Sequence, residues 1–221
     1  MMIEIPVHNA QGQPVEALQI EEGWLGGEVR PALLKQAYVR YHANQRQGSA
    51  KTRNRSEVAG STRKLHRQKG TGNARRGDRK ANILRGGGRA FAKRPRSWRQ
   101  GLPHKMRRLA NRNAVLAKAI DSQIKLVDAF AFEQPSTPQF VQLLDVLQID
   151  RSCLLALAST RGHEARSARN LNRLSITQID RINTYMLLNH HYLLADKASL
   201  QGWIDRARAQ SRRAAGPGED S

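Results

Sequence analysis

Acidic side chains are almost absent from the middle of this 221-residue chain. Between Arg46 and Gly101 only Glu57 and Asp78 carry negative charge, against 18 lysines and arginines. Large apolar side chains are as scarce there, with only Val58, Leu65, Ile83, Leu84, Phe91 and Trp98. Six in 56 residues cannot bury enough surface to offset chain entropy, which excludes an independently folded domain in this stretch. Cysteine is nearly missing as well. Cys153, standing alone, excludes a disulfide framework and a cysteine-based metal site, and its apolar setting from Ser152 to Ala158 marks a buried, inert thiol. No apolar run approaches the ~20 residues of a membrane span. The start, Ile3-Glu4-Ile5-Pro6-Val7, has no charged leader, so the expectation is a cytoplasmic protein with no membrane partner.

What the chain does have is charge of one sign in one place. Its formal net charge is +20. From Arg40 to Arg112 there are 23 lysines and arginines against the same two carboxylates, so the remainder is close to neutral. A balanced body carrying one cationic insert has few plausible partners besides a polyphosphate. Nine of the 17 glycines fall in the insert, where they let the backbone approach a phosphate chain while cations pair with it. The candidate phosphate-binding side chains are Arg46, Lys51, Arg53, Arg55, Arg63, Lys64, Arg67, Arg75, Arg76, Arg79, Arg85, Arg89, Arg94 and Arg96. His66, Phe91 and Trp98 could stack on exposed bases. A solvated linker with no partner is the bland alternative, but so many like charges repel one another unless something neutralises them.

Outside the insert the hydrophobic pattern alternates. Residues 3 to 20 read as two strands around a turn at Gln11-Gly12-Gln13-Pro14. Pro31 opens a helix from about 31 to 44, and periodicity returns at Lys105, where Met106, Leu109, Ala110, Leu116, Ala117 and Ile120 mark the apolar face of a helix. The series continues with a strand over 124–130, then a helix with Thr137-Pro138 as cap and first turn. A strand over 152–158 and a short helix over 163–169 follow. Next come a strand over 174–177, a helix carrying Ile179, Ile182 and Met186, a strand over 191–195, and a last helix capped by Asp196 or Ser199. Residues 211–221 read as a flexible tail. Strand and helix in alternation imply an α/β fold with a mostly parallel sheet and helices on its faces. The expected organisation is therefore a discontinuous globular domain, 1–45 with 102–210, and an extended basic loop at 46–101 inserted between two helices. About 28 residues per arm at ~3.3 Å each allow a reach on the order of 90 Å.

Catalytic and cofactor motifs are not found. Gly72 to Gly77 has the glycine spacing of a phosphate-binding loop, but Asp78 and Arg79 stand where Lys and Ser or Thr are required. His190 and His191, adjacent on a strand, would face opposite ways and cannot share a metal. An α/β enzyme with a basic capture loop would need catalytic side chains at the carboxyl ends of its strands, where Glu133 and Ser159-Thr160-Arg161 form a weak set. A nucleoid-packing protein would need a duplex-reading element, and no regular helix suited to a major groove is expected between 46 and 101. A segment without its own fold that orders on a shaped polyanion suits RNA better.

The insert also carries a series of motifs in order. These are Arg46-Gln47-Gly48, Lys51-Thr52-Arg53, Val58-Ala59-Gly60-Ser61, Gln68-Lys69-Gly70-Thr71-Gly72, Ala74-Arg75, Arg85-Gly86-Gly87-Gly88, Phe91 and Pro95-Arg96, followed by Arg107-Arg108-Leu109-Ala110. Together with Ala168-Arg169-Asn170-Leu171 and Lys197-Ala198-Ser199-Leu200, this series resembles the bacterial-type L4 family of large-subunit ribosomal proteins, from about residue 3 to residue 208. The resemblance implies a Rossmann-like α/β domain and a structural, non-enzymatic role that needs no cofactor. Implied partners are large-subunit (23S-type) rRNA, neighbouring ribosomal proteins and the nascent polypeptide. It also implies that Gln68, Lys69, Gly70, Thr71 and Gly72 form a loop tip at the constriction of the polypeptide exit tunnel, with Arg67 and Arg75 beside it, and that the protein supports subunit assembly. Three positions differ from the family pattern: His66 replaces an aromatic, Asn73 a frequent arginine, and Asn82-Ile83-Leu84 the usual Pro and Trp.

Overall fold

Five consecutive buried side chains, Cys153 to Leu157, form an interior strand of the sheet. Neither face of this strand meets water, which is why its sequence shows no polar alternation. In the computed structural model, which describes residues 2–130 and 132–215 and side chains through Ala209, the chain divides into two compact units. One is Met1–His42 with Gly101–Ser221; the other is Ala43–Gln100.

The first unit is built in the order β1 (Met2–His8), β2 (Pro14–Glu21), α1 (Pro31–Asn44), α2 (His104–Ile120), β3 (Ile124–Val127), α3 (Thr137–Val146), β4 (Cys153–Leu157), α4 (His163–Ala168), β5 (Leu174–Gln178), α5 (Thr184–Asn189), β6 (Tyr192–Asp196) and α6 (Lys197–Ala215). The six strands lie in the order β2-β1-β3-β6-β4-β5. Only the β1–β2 hairpin is antiparallel; the other four pairings are parallel. Side chains along each central strand point alternately into two cores. Leu154, Ala156, Leu193 and Ala195 face a cluster with Leu116 of α2, Leu187 of α5 and Leu200 of α6. Cys153, Leu155, Leu157 and Leu194 face another with Phe140 of α3 and Ala165 of α4. Helices thus cover both faces of a mostly parallel sheet, the fold class read from the sequence.

Several local expectations are corrected. β3 stops at Val127 instead of reaching residue 130. The cap position of α3 is Ser136, not Thr137; its backbone N–H donates to Ser167 Oγ at 2.9 Å. The single helix expected over Ile179 to Met186 is two pieces, a 3₁₀ turn at Ile179–Arg181 and then α5. Asn183 separates them and accepts a hydrogen bond from Met186 N with its side chain, as helix caps do. On α2, Ile120 is exposed, whereas Asn113 and Lys118 are buried. Lys118 survives burial because its Nζ donates to His191 O at 2.8 Å and to Gln123 Oε1. Residues 211–215 continue α6 instead of joining a tail, and 216–221 lie outside the described residues. Asp196 is the cap of α6, its Oδ2 accepting from Ser199 N at 2.9 Å.

Cys153 is buried, and burial pushes its thiol up to about 12. Iodoacetamide should therefore leave Cys153 unmodified in the folded chain and alkylate it readily in denaturant. Equal rates in both states, followed by mass spectrometry, would show an accessible thiol.

Candidate nucleic-acid interface

Residues 45–103 contain no helix or strand. Of the six large apolar side chains between Arg46 and Gly101, none is buried; Ile83 is 76% exposed and Phe91 99%. Between residues 44 and 100 only Gly88 is buried. What shapes this unit is a ladder of widely spaced bonds between its two arms. Gln100 N donates to Asn44 Oδ1 at 2.7 Å, and Arg96 N to Gly48 O at 3.1 Å. Thr52 N donates to Lys93 O at 3.0 Å, and Lys93 N returns a bond to Thr52 Oγ1 at 2.7 Å. Arg89 N reaches Arg53 O at 3.0 Å, and Leu65 N reaches Gly77 O at 3.0 Å. His66 Nε2 lies 3.0 Å from Ala74 O.

Glycine is needed where the arms touch. A β-carbon on Gly88 would sit 2.2 Å from Arg55 N, and one on Gly48, whose φ is +70°, would sit 2.0 Å from Arg96 O. At both places backbone packs on backbone, so the glycine run of the sequence serves arm-to-arm contact as well as any approach to a ligand.

The two arms close at residues 67–73. Gln68, Lys69, Gly70, Thr71 and Gly72 all lie in this turn and all are exposed. Arg67 folds back over it, its Nη2 donating to Gly70 O at 2.9 Å, while Lys64 Nζ donates to Gln68 Oε1.

The candidate cations fall into two groups. Some are engaged within the unit. Arg46 and Arg96 each place a guanidinium carbon 3.5 Å from the centroid of the Trp98 ring, which requires them to lie on opposite faces. Trp98 therefore ties the two arms together, and a base could stack on it only by displacing an arginine. Lys51 pairs with Glu57 at 3.1 Å, and that lysine, with Arg94 beside it, holds the Glu57 carboxyl below the usual carboxylate range. The second group, Arg53, Arg55, Arg63, Arg75, Arg76, Arg79, Arg85 and Arg89, has no ion-pair partner among the described residues. Of the three candidate stacking residues, Phe91 alone offers an open ring, since His66 is half-buried.

His190 is held by Met186 O and Ser175 Oγ, each at 2.8 Å, and no cluster of metal-ligating side chains occurs among the described residues. Among them no helix is long and apolar enough to cross a membrane.

The comparison with known proteins decides the family. Residues 18–206 match the model of the Ribosomal protein L4/L1 family. The chain belongs to the L4/L1 family. It is similar to the large ribosomal subunit protein uL4 of Dehalococcoides mccartyi (strain ATCC BAA-2266), with 38% identity over 210 residues that cover 93% of this chain and all of that one. Similarity extends to uL4 of Bacteroides fragilis, 36% identical over 90% of this chain and 97% of that one. The uL4 of Moorella thermoacetica is 37% identical over 89% and 95% respectively. Membership makes this L4-family chain a structural constituent of the large ribosomal subunit and not an enzyme. The capture-loop enzyme and the nucleoid-packing protein are thereby set aside.

Proposed function

We propose that the unit Ala43–Gln100 is the rRNA-binding element of this large-subunit protein. In this reading it threads between converging RNA backbones, and its turn at Gln68–Gly72 lines the narrow part of the polypeptide exit tunnel. The observation that carries the proposal is the set of exposed, unpaired arginines along a segment with no apolar core. An element held by a few cross-arm bonds gains its remaining order from counter-charges, and phosphate supplies them at the density this segment requires. Arg53, Arg55, Arg63, Arg75, Arg76, Arg79, Arg85 and Arg89 are the principal phosphate contacts, and Phe91 the principal stacking side chain. Lys51, Lys64, Arg67 and Arg94 reach phosphate from the ends of local contacts. Arg46 and Arg96 contribute charge while clamping Trp98. At the turn, the small exposed residues Gly70, Thr71 and Gly72 suit a wall past which a nascent polypeptide moves. The place of work is the cytoplasmic large subunit, beside neighbouring ribosomal proteins, and neutralising rRNA there supports subunit assembly.

The test is ultraviolet crosslinking in purified large subunits, with peptides read by mass spectrometry. Peptides spanning 46–101 should carry rRNA adducts. Adducts confined to the rest of the chain, or absence of the chain from sucrose-gradient large subunits, would refute the proposal. A milder perturbation has a milder result: Lys69→Glu should enter subunits as well as the unaltered chain, since only one of the 18 cations in this stretch is reversed in sign. Exclusion of that variant from subunits would show that the turn itself drives incorporation.

A further inference from the structure

Buried side-chain nitrogens and oxygens without a hydrogen-bond partner are rare in a folded chain, and each calls for an explanation. Four occur among the described residues: Nε of Arg40, Arg107 and Arg112, and Oδ1 of Asn113. The three guanidinium atoms are not scattered. Arg112 lines a cavity of about 540 Å³ between α2 and α6, together with Arg108, Lys105, Leu109, Ile182 and Trp203. Arg40 and Arg107 line a second cavity, of about 260 Å³, that shares Arg108 and Asn111 with the first. Desolvation disfavours the Arg112 charge, yet an arginine in a protein does not give up its proton, so an anion in the cavity beside its guanidinium would offset that cost. Asp180, the one carboxylate among the described residues that line the larger cavity, is already paired with Arg206.

We infer that the larger cavity is a site for a single unpaired nucleotide of RNA, its base against Trp203 and its phosphate on Arg108 and Arg112. This rests on the reading of the chain as an rRNA-binding protein, but it places a second contact in the α/β unit, apart from residues 43–100. The lining has the two chemistries a nucleotide needs. Trp203, half-buried against the core, with Leu109 and Ile182, gives an apolar wall for a base. Arg108, Arg112 and Lys105 give cations for a phosphate. The volume lies in the range of small-molecule sites. A duplex keeps its bases stacked inside, so only a nucleotide turned out of a helix or lying in a loop can enter. An acidic peptide would satisfy the cations but leave the indole wall unused.

The experiment uses the full chain with Trp203 as its single tryptophan (Trp24→Phe and Trp98→Phe), titrated with a single-stranded RNA hexamer, a duplex of equal length, a nucleoside monophosphate and inorganic phosphate. RNA retention on a filter is measured in parallel. The hexamer should quench Trp203 saturably and the duplex should not. Arg108→Gln with Arg112→Gln should weaken the affinity read at Trp203 by about tenfold while the melting temperature holds. In the wild-type chain, a 4-thiouridine hexamer should crosslink to peptides of α2 or α6, which keeps the test independent of the tryptophan variants. RNA retained on the filter with Trp203 unmoved and no such crosslink would overturn the inference and leave the rRNA-binding reading standing. Equal quenching by duplex or by phosphate alone would reduce the site to a charge patch, and equal affinity for the monophosphate would assign it to a free nucleotide. Either result overturns the RNA assignment. A wild-type chain that retains no RNA at all would overturn both readings.

Discussion

Raising monovalent salt from about 50 to about 200 mM should weaken binding of this chain to large-subunit rRNA by roughly three to five orders of magnitude. The expectation follows from counting. Eight arginines of the loop unit have no ion-pair partner among the described residues, and each phosphate they neutralise releases a counterion on binding. A plot of the logarithm of affinity against that of salt should therefore be straight and steep. Changing Arg75, Arg76 and Arg79 together to Gln should lower its slope by about 2 to 3. A slope near zero in the unaltered chain would mean that binding is not carried by these cations.

The second large effect concerns stability. Leu155→Ala should cost about 2–5 kcal/mol, because Leu155 is fully buried at the centre of β4 and the strand has no freedom to close the hole. Deleting residues 62–78 should leave the melting temperature of the isolated chain close to unchanged. That stretch holds no buried residue, and its single large apolar side chain, Leu65, is 45% exposed. The contrast is the informative quantity. Thermal melts followed by circular dichroism on both variants would measure it, and a deletion as damaging as Leu155→Ala would show that the loop supports the α/β unit.

Much of the candidate site was legible without coordinates, for reasons that differ by residue. The density of Arg and Lys is a property of composition, so it survives any packing detail, whereas the tip at Gln68–Gly72 was implied only by the family resemblance. Trp98 was not legible. Its reading as an open stacking platform ignored that residues 46 and 96 meet across the two arms, a pairing set by the register of Gly48 against Arg96. The cavity cations of α2 were equally hidden. Arg107, Arg108 and Arg112 lie off the apolar face by helical spacing, and only the packing of α5 and α6 beside α2 turns that flank into cavity walls.

The fold divides in the same way. Apolar runs such as Cys153–Leu157 and the helix starts at Pro31 and Thr137-Pro138 are local signals, and they determined which elements form and that a parallel sheet joins them. Where the helical pattern crossed Ile179 to Met186, periodicity alone could not see the break, because Asn183 caps α5 with a bond that depends on the turn before it. Which helices share a face, which lysine is buried, and which arginine Nε atoms are left without a partner were decided by tertiary structure alone. Those properties belong to pairs of residues far apart in the chain, and hydrophobic pattern records only what each residue is, not what it meets.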